Sequence, residues 1–157
     1  MLQDLKTIFL PKSVVGLQIG PSFIAAVQVS NPGYSPLVDR IVYQEVNDPE
    51  SVIRELEGLF QRETLNPEVL VTSLPTWEAT IREIQMDFQN HRKLEKIIKY
   101  QIEPHVPYPI DDMVVDFFPP EPDGTVLTVG IRKELLSAHL STFSSIHMIP
   151  QAVSLED

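Results

Sequence analysis

Residues 14–30, VVGLQIGPSFIAAVQVS, constrain the fold of this chain more than any other stretch. Two apolar runs flank Gly20-Pro21-Ser22, and glycine next to proline favours a tight turn at this point. The first run alternates, because Val15, Leu17 and Ile19 fall on one face of an extended chain. The second run is almost wholly apolar, which is typical of a strand that is covered on both faces. The sequence therefore predicts a β-hairpin near the start of the fold.

The segments after the hairpin predict a layer of strands covered by a helix. LVDRIVYQEV, residues 37–46, combines β-branched residues with alternation and predicts a third strand. Asp48 is a suitable N-cap and Pro49 a suitable first residue for a helix, and the apolar residues that follow recur at helical spacing. VLVTSLP, from Val69, predicts a short apolar strand. Three meandering strands, a helix and a returning strand indicate an α/β arrangement.

From Thr76 the pattern changes to that of a second unit. TIREIQMDF alternates and predicts a half-buried strand, and HRKLEKIIKYQIEPH predicts a helix that ends near Pro104. MVVDFF and TVLTVGIRK predict two strands joined by a turn at Asp123-Gly124. KELLSAHLSTFSSI predicts a helix, and MIPQAVSLED could return as a strand. From Thr80 the order is β-α-β-β-α-β, which is typical of a split βαβ unit with one antiparallel sheet. The buried face of the last helix is predicted to be Leu135, Leu136, Leu140 and Phe143.

Composition excludes several classes of function. The 157 residues include 12 Lys and Arg against 22 Asp and Glu, a formal net charge of -10. This balance argues against nucleic-acid binding and against adsorption to an anionic membrane. The chain has no cysteine, so disulfides and thiolate metal sites are excluded. No apolar run is long enough for a membrane helix, and no signal-peptide pattern is present.

No catalytic or metal site can be argued from spacing. The four histidines are scattered and form no paired metal-ligand pattern. Asp111, Asp112 and Asp116 form the densest carboxylate group, but they flank a Pro-rich turn, where turn hydrogen bonding and solvation account for them. No phosphate-loop glycine motif and no nucleophile elbow occur. We therefore predict no catalytic residue and no metal.

Two apolar features have more than one interpretation. Trp77, the only tryptophan, is either an anchor at the junction of the two units or an aromatic contact for a partner. At the N-terminus, four apolar residues recur at helical spacing, and they indicate either an arm packed on the body or a weak contact with a membrane or partner. These four are Leu2, Leu5, Ile8 and Phe9.

Three stretches resemble the PilM family, actin-like proteins of type IV pilus assembly that are related in fold to FtsA and to the cytoplasmic part of the secretion protein GspL. VVGLQIGPSFIAAVQVS is similar to the family's opening hairpin. SLPTWEATIREIQM is similar to the strand that enters its inserted subdomain. KLEKIIKYQIEPHVPYPIDDMVVDFFP matches a helix, proline turn, acid pair and strand in that order. MIPQAVSLED resembles the return strand, with Ser154 where the family has Asp.

The resemblance spans almost the whole chain but only the first half of a complete actin-like molecule. It implies an α/β (α+β) fold in two parts. Residues 1–75 would be an arm and part of the actin-like, ribonuclease H-like subdomain 1A. Residues 76–157 would hold a ferredoxin-like βαββαβ insert, subdomain 1C, and the return strand. The second phosphate loop of the family would lie in the half that this sequence lacks, so the chain is either a piece or a shortened relative.

In the family, ATP binds between the two halves of the molecule, and the hairpin is one phosphate loop. Gln18, Gly20 and Ser22 occupy the corresponding positions. Gln18 replaces an Asp, and a neutral amide is a poorer ligand for Mg²⁺. Pro21 also removes one backbone N–H from the loop. We therefore expect no cofactor and no enzymatic activity, with the hairpin kept as a structural marker. An ATP-binding actin-like ATPase or switch is the alternative.

The family also implies a partner and a location. PilM binds the cytoplasmic tail of a bitopic inner-membrane protein, PilN, between subdomains 1A and 1C. By position, Trp77, Ile81, Pro107 and Tyr108 are the candidate contacts in this chain. The chain is expected to be cytoplasmic, at the inner face of the bacterial inner membrane, and to act as a scaffold of a pilus or type II secretion platform. Self-association stays open, and a filament-forming FtsA-like role would need a second actin-like half.

Overall fold

The computed structural model describes residues 11–30 and 35–156, which form two compact units. One unit holds the described residues up to Leu74 together with Thr142–Glu156, and the other holds Pro75–Ser141. The predicted N-terminal arm lies outside the described residues. Within the described part of the chain, no helix is long and apolar enough to cross a membrane.

Eight strands and three helices follow one another along the described chain. The first unit contains β1 (Ser13–Ile19), β2 (Phe23–Ser30), β3 (Leu37–Glu45), α1 (Val52–Arg62) and β4 (Val69–Leu74). Then come β5 (Ala79–Gln85), α2 (His91–Ile102), β6 (Met113–Phe117) and β7 (Thr125–Arg132). The last elements are α3 (Lys133–Ser144) and β8 (Ala152–Leu155). Every predicted strand and helix in this range is therefore present.

The first unit is built on a five-stranded sheet in the order β3-β2-β1-β4-β8. β1 and β2 form the predicted antiparallel hairpin, with Ile19 opposite Ile24 next to the turn. β4 runs parallel to β1, which requires the crossover that α1 supplies. α1 begins at Val52, later than predicted, because a short 3-10 helix at Pro49–Ser51 comes first.

Only one face of this sheet is buried. Ile24 and Ala26 of β2 lie in the core, whereas Ala25 between them and the rest of the strand are half-buried. The prediction that β2 is covered on both faces is therefore wrong for the described residues. α1 covers the buried face through an apolar stripe that includes the fully buried Leu56 and Leu59. The core of the unit comprises Val15, Leu17, Ile24, Ala26, Val46, Leu56, Leu59, Phe60, Leu65, Leu70 and Phe143.

The second unit has a three-stranded antiparallel sheet in the order β5-β7-β6. α2 packs on one face of it, and Asn90 caps this helix by accepting a hydrogen bond from the backbone N–H of Lys93 at 3.1 Å. Gly130 of β7 lies beneath Met113, because a Cβ there would approach the Met113 Cε to 2.7 Å. The core comprises Ile84, Met86, Leu94, Ile98, Ile102, Ile110, Met113 and Val126.

The last strand differs from the predicted single antiparallel sheet. β8 does not join β5, β6 and β7 but pairs in parallel with β4, with Val71 opposite Ala152. The reason lies in α3, where Phe143 alone is fully buried, in the core of the first unit. Leu135, Leu136 and Leu140, also predicted to be buried, are only half-buried. The Gln151 side chain then accepts a hydrogen bond from the Leu70 N–H at 2.6 Å, which places β8 beside β4.

Candidate functional site

The hairpin turn is closed by its own backbone. The Gly20 N–H donates to the Phe23 carbonyl at 2.8 Å, and the Ser22 carbonyl accepts from the Val46 N–H at 2.8 Å. The Phe23 ring lies over Gly20, since a Cβ there would approach ring atom Cε1 to 2.2 Å. A side chain at this position would therefore displace the Phe23 ring.

Few donors are left in this turn to hold a phosphate. Phosphate loops use several successive free backbone N–H groups. Gly20 donates within the hairpin, and Pro21 has no N–H, so the three-residue turn offers at most the N–H of Ser22. Gln18 is half-buried and alternates with the core residue Leu17, so it lies on the face of the sheet away from the core. Among the described residues, no group of three His, Asp or Glu side chains could hold a metal ion.

Trp77 is a prominent apolar side chain at the surface, with 73% of its area exposed. It lies in a short 3-10 helix, Thr76–Glu78, directly before β5. Pro75 begins this helix, and the Glu78 N–H donates to the Pro75 carbonyl at 3.0 Å, so the indole projects from a short, hydrogen-bonded turn. An exposed tryptophan on a defined turn is the kind of residue that anchors a binding partner.

The face of the second sheet opposite α2 carries several partly exposed apolar side chains. We call it the open face and define it by Ile81, Val114, Leu127, Val129 and Ile131. The register aligns Ile81 with Val129 and Val114 with Ile131 across the strands. Ile81, Val114 and Leu127 are 36%, 42% and 36% exposed. The predicted contact Ile81 therefore shares this face with several apolar residues, but Glu83 lies opposite Leu127 and Asp116 opposite Val129 on the same face.

The predicted contact Tyr108 is held at one end of this sheet. The Arg132 guanidinium carbon lies 5.0 Å from the centroid of the Tyr108 ring, a cation–π contact. Arg132 is the last residue of β7. Its neighbour Ile131 pairs with Ala79 of β5, which is only two residues after Trp77. Trp77 and Tyr108 therefore lie at the same end of the sheet. Pro107 is exposed in the turn beside Tyr108.

Sequence reasoning missed a cluster of basic residues at this end. Lys99 places its Nζ 3.1 Å from the Asp111 Oδ1, and Lys133 donates through Nζ to the Asp111 carbonyl at 2.6 Å. Together with Arg132 they are three of the chain's twelve basic residues. They come from α2, β7 and the start of α3, so no local sequence spacing predicts the cluster. Asp111 is exposed, as expected for a solvated turn residue, and its carboxylate also forms a surface ion pair with Lys99.

Comparison with family models and with curated proteins finds no match to this sequence. Comparison of the fold with solved structures finds similar chains. A chain of the "PilM-PilN type IV pilus biogenesis complex" aligns over 90% of this chain and 47% of its own length, with a TM-score of 0.78 and 22% identity. The cytoplasmic domain of EpsL, an inner-membrane component of the type II secretion system of Vibrio cholerae, aligns over 91% of this chain and 57% of its own, with a TM-score of 0.68 and 13% identity.

The chain has a partial actin-like α/β fold. The expected α/β fold class with a partial actin-like unit is thereby confirmed, whereas the ferredoxin-like form of the insert is not, because β8 pairs with β4. The chain spans about half the length of the solved chains that it matches. At this level of identity the similarity shows the fold, and membership of the PilM family stays a prediction.

Proposed function

We propose that this chain is a non-catalytic interaction module of a type IV pilus or type II secretion platform. It would act at the cytoplasmic face of the inner membrane by binding a PilN-like bitopic protein. The observation that carries the proposal is the TM-score of 0.78, over 90% of this chain, to a chain of a PilM-PilN complex. The EpsL domain, from an inner-membrane secretion component, supports the same setting.

The partner-binding surface proposed here is the end of the second unit that carries Trp77 and Tyr108. Trp77 supplies the large exposed aromatic group, and the open face supplies partly exposed apolar side chains, including Ile81. β5 is an edge strand of its sheet, so its outer side can accept an extended segment by strand addition. An extended tail with apolar residues at alternate positions fits this surface.

Replacement of Trp77 by alanine should weaken binding of the partner tail. An aromatic anchor at an interface contributes about 2 kcal/mol or more, which corresponds to a loss of affinity of roughly 30-fold. The measurement is calorimetric titration of the whole chain with a synthetic peptide of the cytoplasmic tail of the neighbouring bitopic protein.

Tyr100→Ala is the matched control for this measurement. Tyr100 is 64% exposed, similar to Trp77, but it belongs to α2. Its replacement should leave the affinity unchanged. A folded wild-type chain that does not bind the peptide would contradict the proposed function, whereas equal effects of both replacements would contradict only the proposed surface.

The alternative function, ATP binding, makes an opposite prediction for the same protein. The Gly20 N–H is already bonded to the Phe23 carbonyl, Pro21 has no N–H, and Gln18 stands in place of an acid. We therefore expect Mg-ATP to bind with a dissociation constant no tighter than about 1 mM. Calorimetry with Mg-ATP and with Mg-ADP measures this. A micromolar dissociation constant would replace the scaffold proposal with a nucleotide switch.

A further inference from the structure

The outer edge of β3 is the longest unpaired strand edge in the described part of the chain. β3 has nine residues and forms one end of the first sheet, where β2 is its neighbour. Its exposed apolar side chains include Ile41 at 76% and Tyr43 at 64%. Long apolar edge strands are templates for pairing with another strand, and proteins usually protect them.

The direction of the free backbone groups follows from the register. Val46 donates its N–H to Ser22 of the hairpin, so the N–H and C=O groups of every second residue before it also point toward β2. These residues are Gln44, Val42 and Arg40. The groups of Ile41 and Tyr43 therefore point away from the sheet and are available to a further strand.

The same two residues share one face. Tyr43 stacks on Phe23 of β2, with ring centroids 5.4 Å apart, while Val42 packs against the core and Gln44 bonds to Glu55 of α1. From Arg40 to Gln44 the side chains thus alternate regularly, with the apolar Ile41 and Tyr43 on the face away from the core and the residues between them on the core side. The bulge near Asp39 ends this regular stretch, because the register shifts between Arg40 and Val38.

We propose that β3 pairs antiparallel with β3 of a second copy of this chain, around a two-fold axis at Val42. In this register Ile41 of each copy lies opposite Tyr43 of the other. In each of these two pairs, the outward N–H and C=O groups form two hydrogen bonds between the copies. Arg40 lies opposite Gln44 of the second copy, and Val42 faces its equivalent. From Arg40 to Gln44, like polarity meets like polarity and no charge faces a like charge. Beyond this stretch, Glu45 lies toward Asp39 of the second copy, where the bulge ends the regular pairing.

The neighbouring symmetric registers are less complementary. An axis at Ile41 would put Arg40 opposite Val42 and Tyr43 opposite the bulged Asp39. An axis at Tyr43 would put Ile41 opposite Glu45. Both place polar or charged groups against apolar ones across the strands, which removes the gain from cross-strand pairs. The stretch is therefore self-complementary in one register, which favours a second copy over an unrelated strand.

Sedimentation of the whole chain over a range of concentrations tests this pairing. A two-strand interface is small, so we expect a monomer–dimer equilibrium with a dissociation constant on the order of 100 μM. Ile41→Lys should abolish the dimer, because it removes the apolar pair and places two cations near the axis. Ile149→Lys is the control, since Ile149 is 78% exposed but outside the strand. A monomer throughout, or equal loss of the dimer in both variants, would overturn the proposal.

The absence of cysteine from the sequence allows a test of register that does not depend on the lysine variant. Val42→Cys would place two thiols in a non-hydrogen-bonded pair, where the Cα separation of about 4.5 Å suits a disulfide. Ile41→Cys would place its thiols diagonally, about 7–8 Å apart. Under mild oxidation, Val42→Cys should form covalent dimer several-fold faster than Ile41→Cys. Equal rates, or the reverse order, would overturn the proposed axis.

Discussion

Replacement of Phe143 by alanine is expected to lower the free energy of unfolding by about 3–5 kcal/mol. Phe143 is fully buried in the core of the first unit, together with residues such as Val15 and Leu56. Its loss removes the transfer free energy of the ring and leaves a cavity that neighbouring strands fill only in part. Denaturant unfolding followed by circular dichroism measures the change.

Ser137→Ala in the same helix is the control for Phe143→Ala. Ser137 is exposed, so its replacement should change the free energy of unfolding by less than about 0.5 kcal/mol. Hydrogen exchange should also rise in β1, β2 and β4 of the Phe143→Ala variant, because these strands line the cavity. A loss below about 1 kcal/mol with unchanged exchange would show that the ring does not belong to this core.

Replacement of Leu94 by alanine is expected to cost about 2–5 kcal/mol in the second unit. Leu94 is fully buried near the start of α2 and packs with Ile84 and Val126 of the sheet. The loss is a large part of this core, which has eight buried members. Amide hydrogen exchange of β5 and β7, read peptide by peptide, measures the loss within this unit.

Glu95→Ala controls for changes in helix propensity next to Leu94. Glu95 is exposed, and its contact with His91 across one helical turn is a weak surface pair at most. Its replacement should leave exchange in β5 and β7 unchanged. Faster exchange in both variants to the same extent would show that the helix, rather than the packing of Leu94, sets the stability of the unit.

Local sequence signals were sufficient for the hairpin and for the helices. Alternation predicted β1, and Gly20-Pro21-Ser22 predicted the turn, because turn geometry depends on a few neighbouring residues. The buried side of β5 also followed from alternation, since Ile84 and Met86 are in the core as predicted. These features depend on interactions within about ten residues, and sequence patterns record such interactions directly.

The sheet that receives the last strand could not be found this way. A β-α-β-β-α-β order is the same whether its last strand joins the nearby antiparallel sheet or returns to the first one. The burial of Phe143 and the hydrogen bond of Gln151 to Leu70 decide between them, and both join residues distant in the chain. The prediction that both faces of β2 are buried failed for a similar reason. An apolar run in the sequence does not determine which other elements pack on each face of the strand.

For the candidate site, the sequence by itself determined the identities of its members, and the tertiary structure decided their grouping. Trp77 and Tyr108 stand out in the sequence as aromatics near proline, but only the strand register brings them to one end of a sheet. The basic residues Lys99, Arg132 and Lys133 meet there only because three separate elements converge. Local conformation is encoded by neighbours in the chain, whereas a binding surface is made from residues that folding brings together from distant positions.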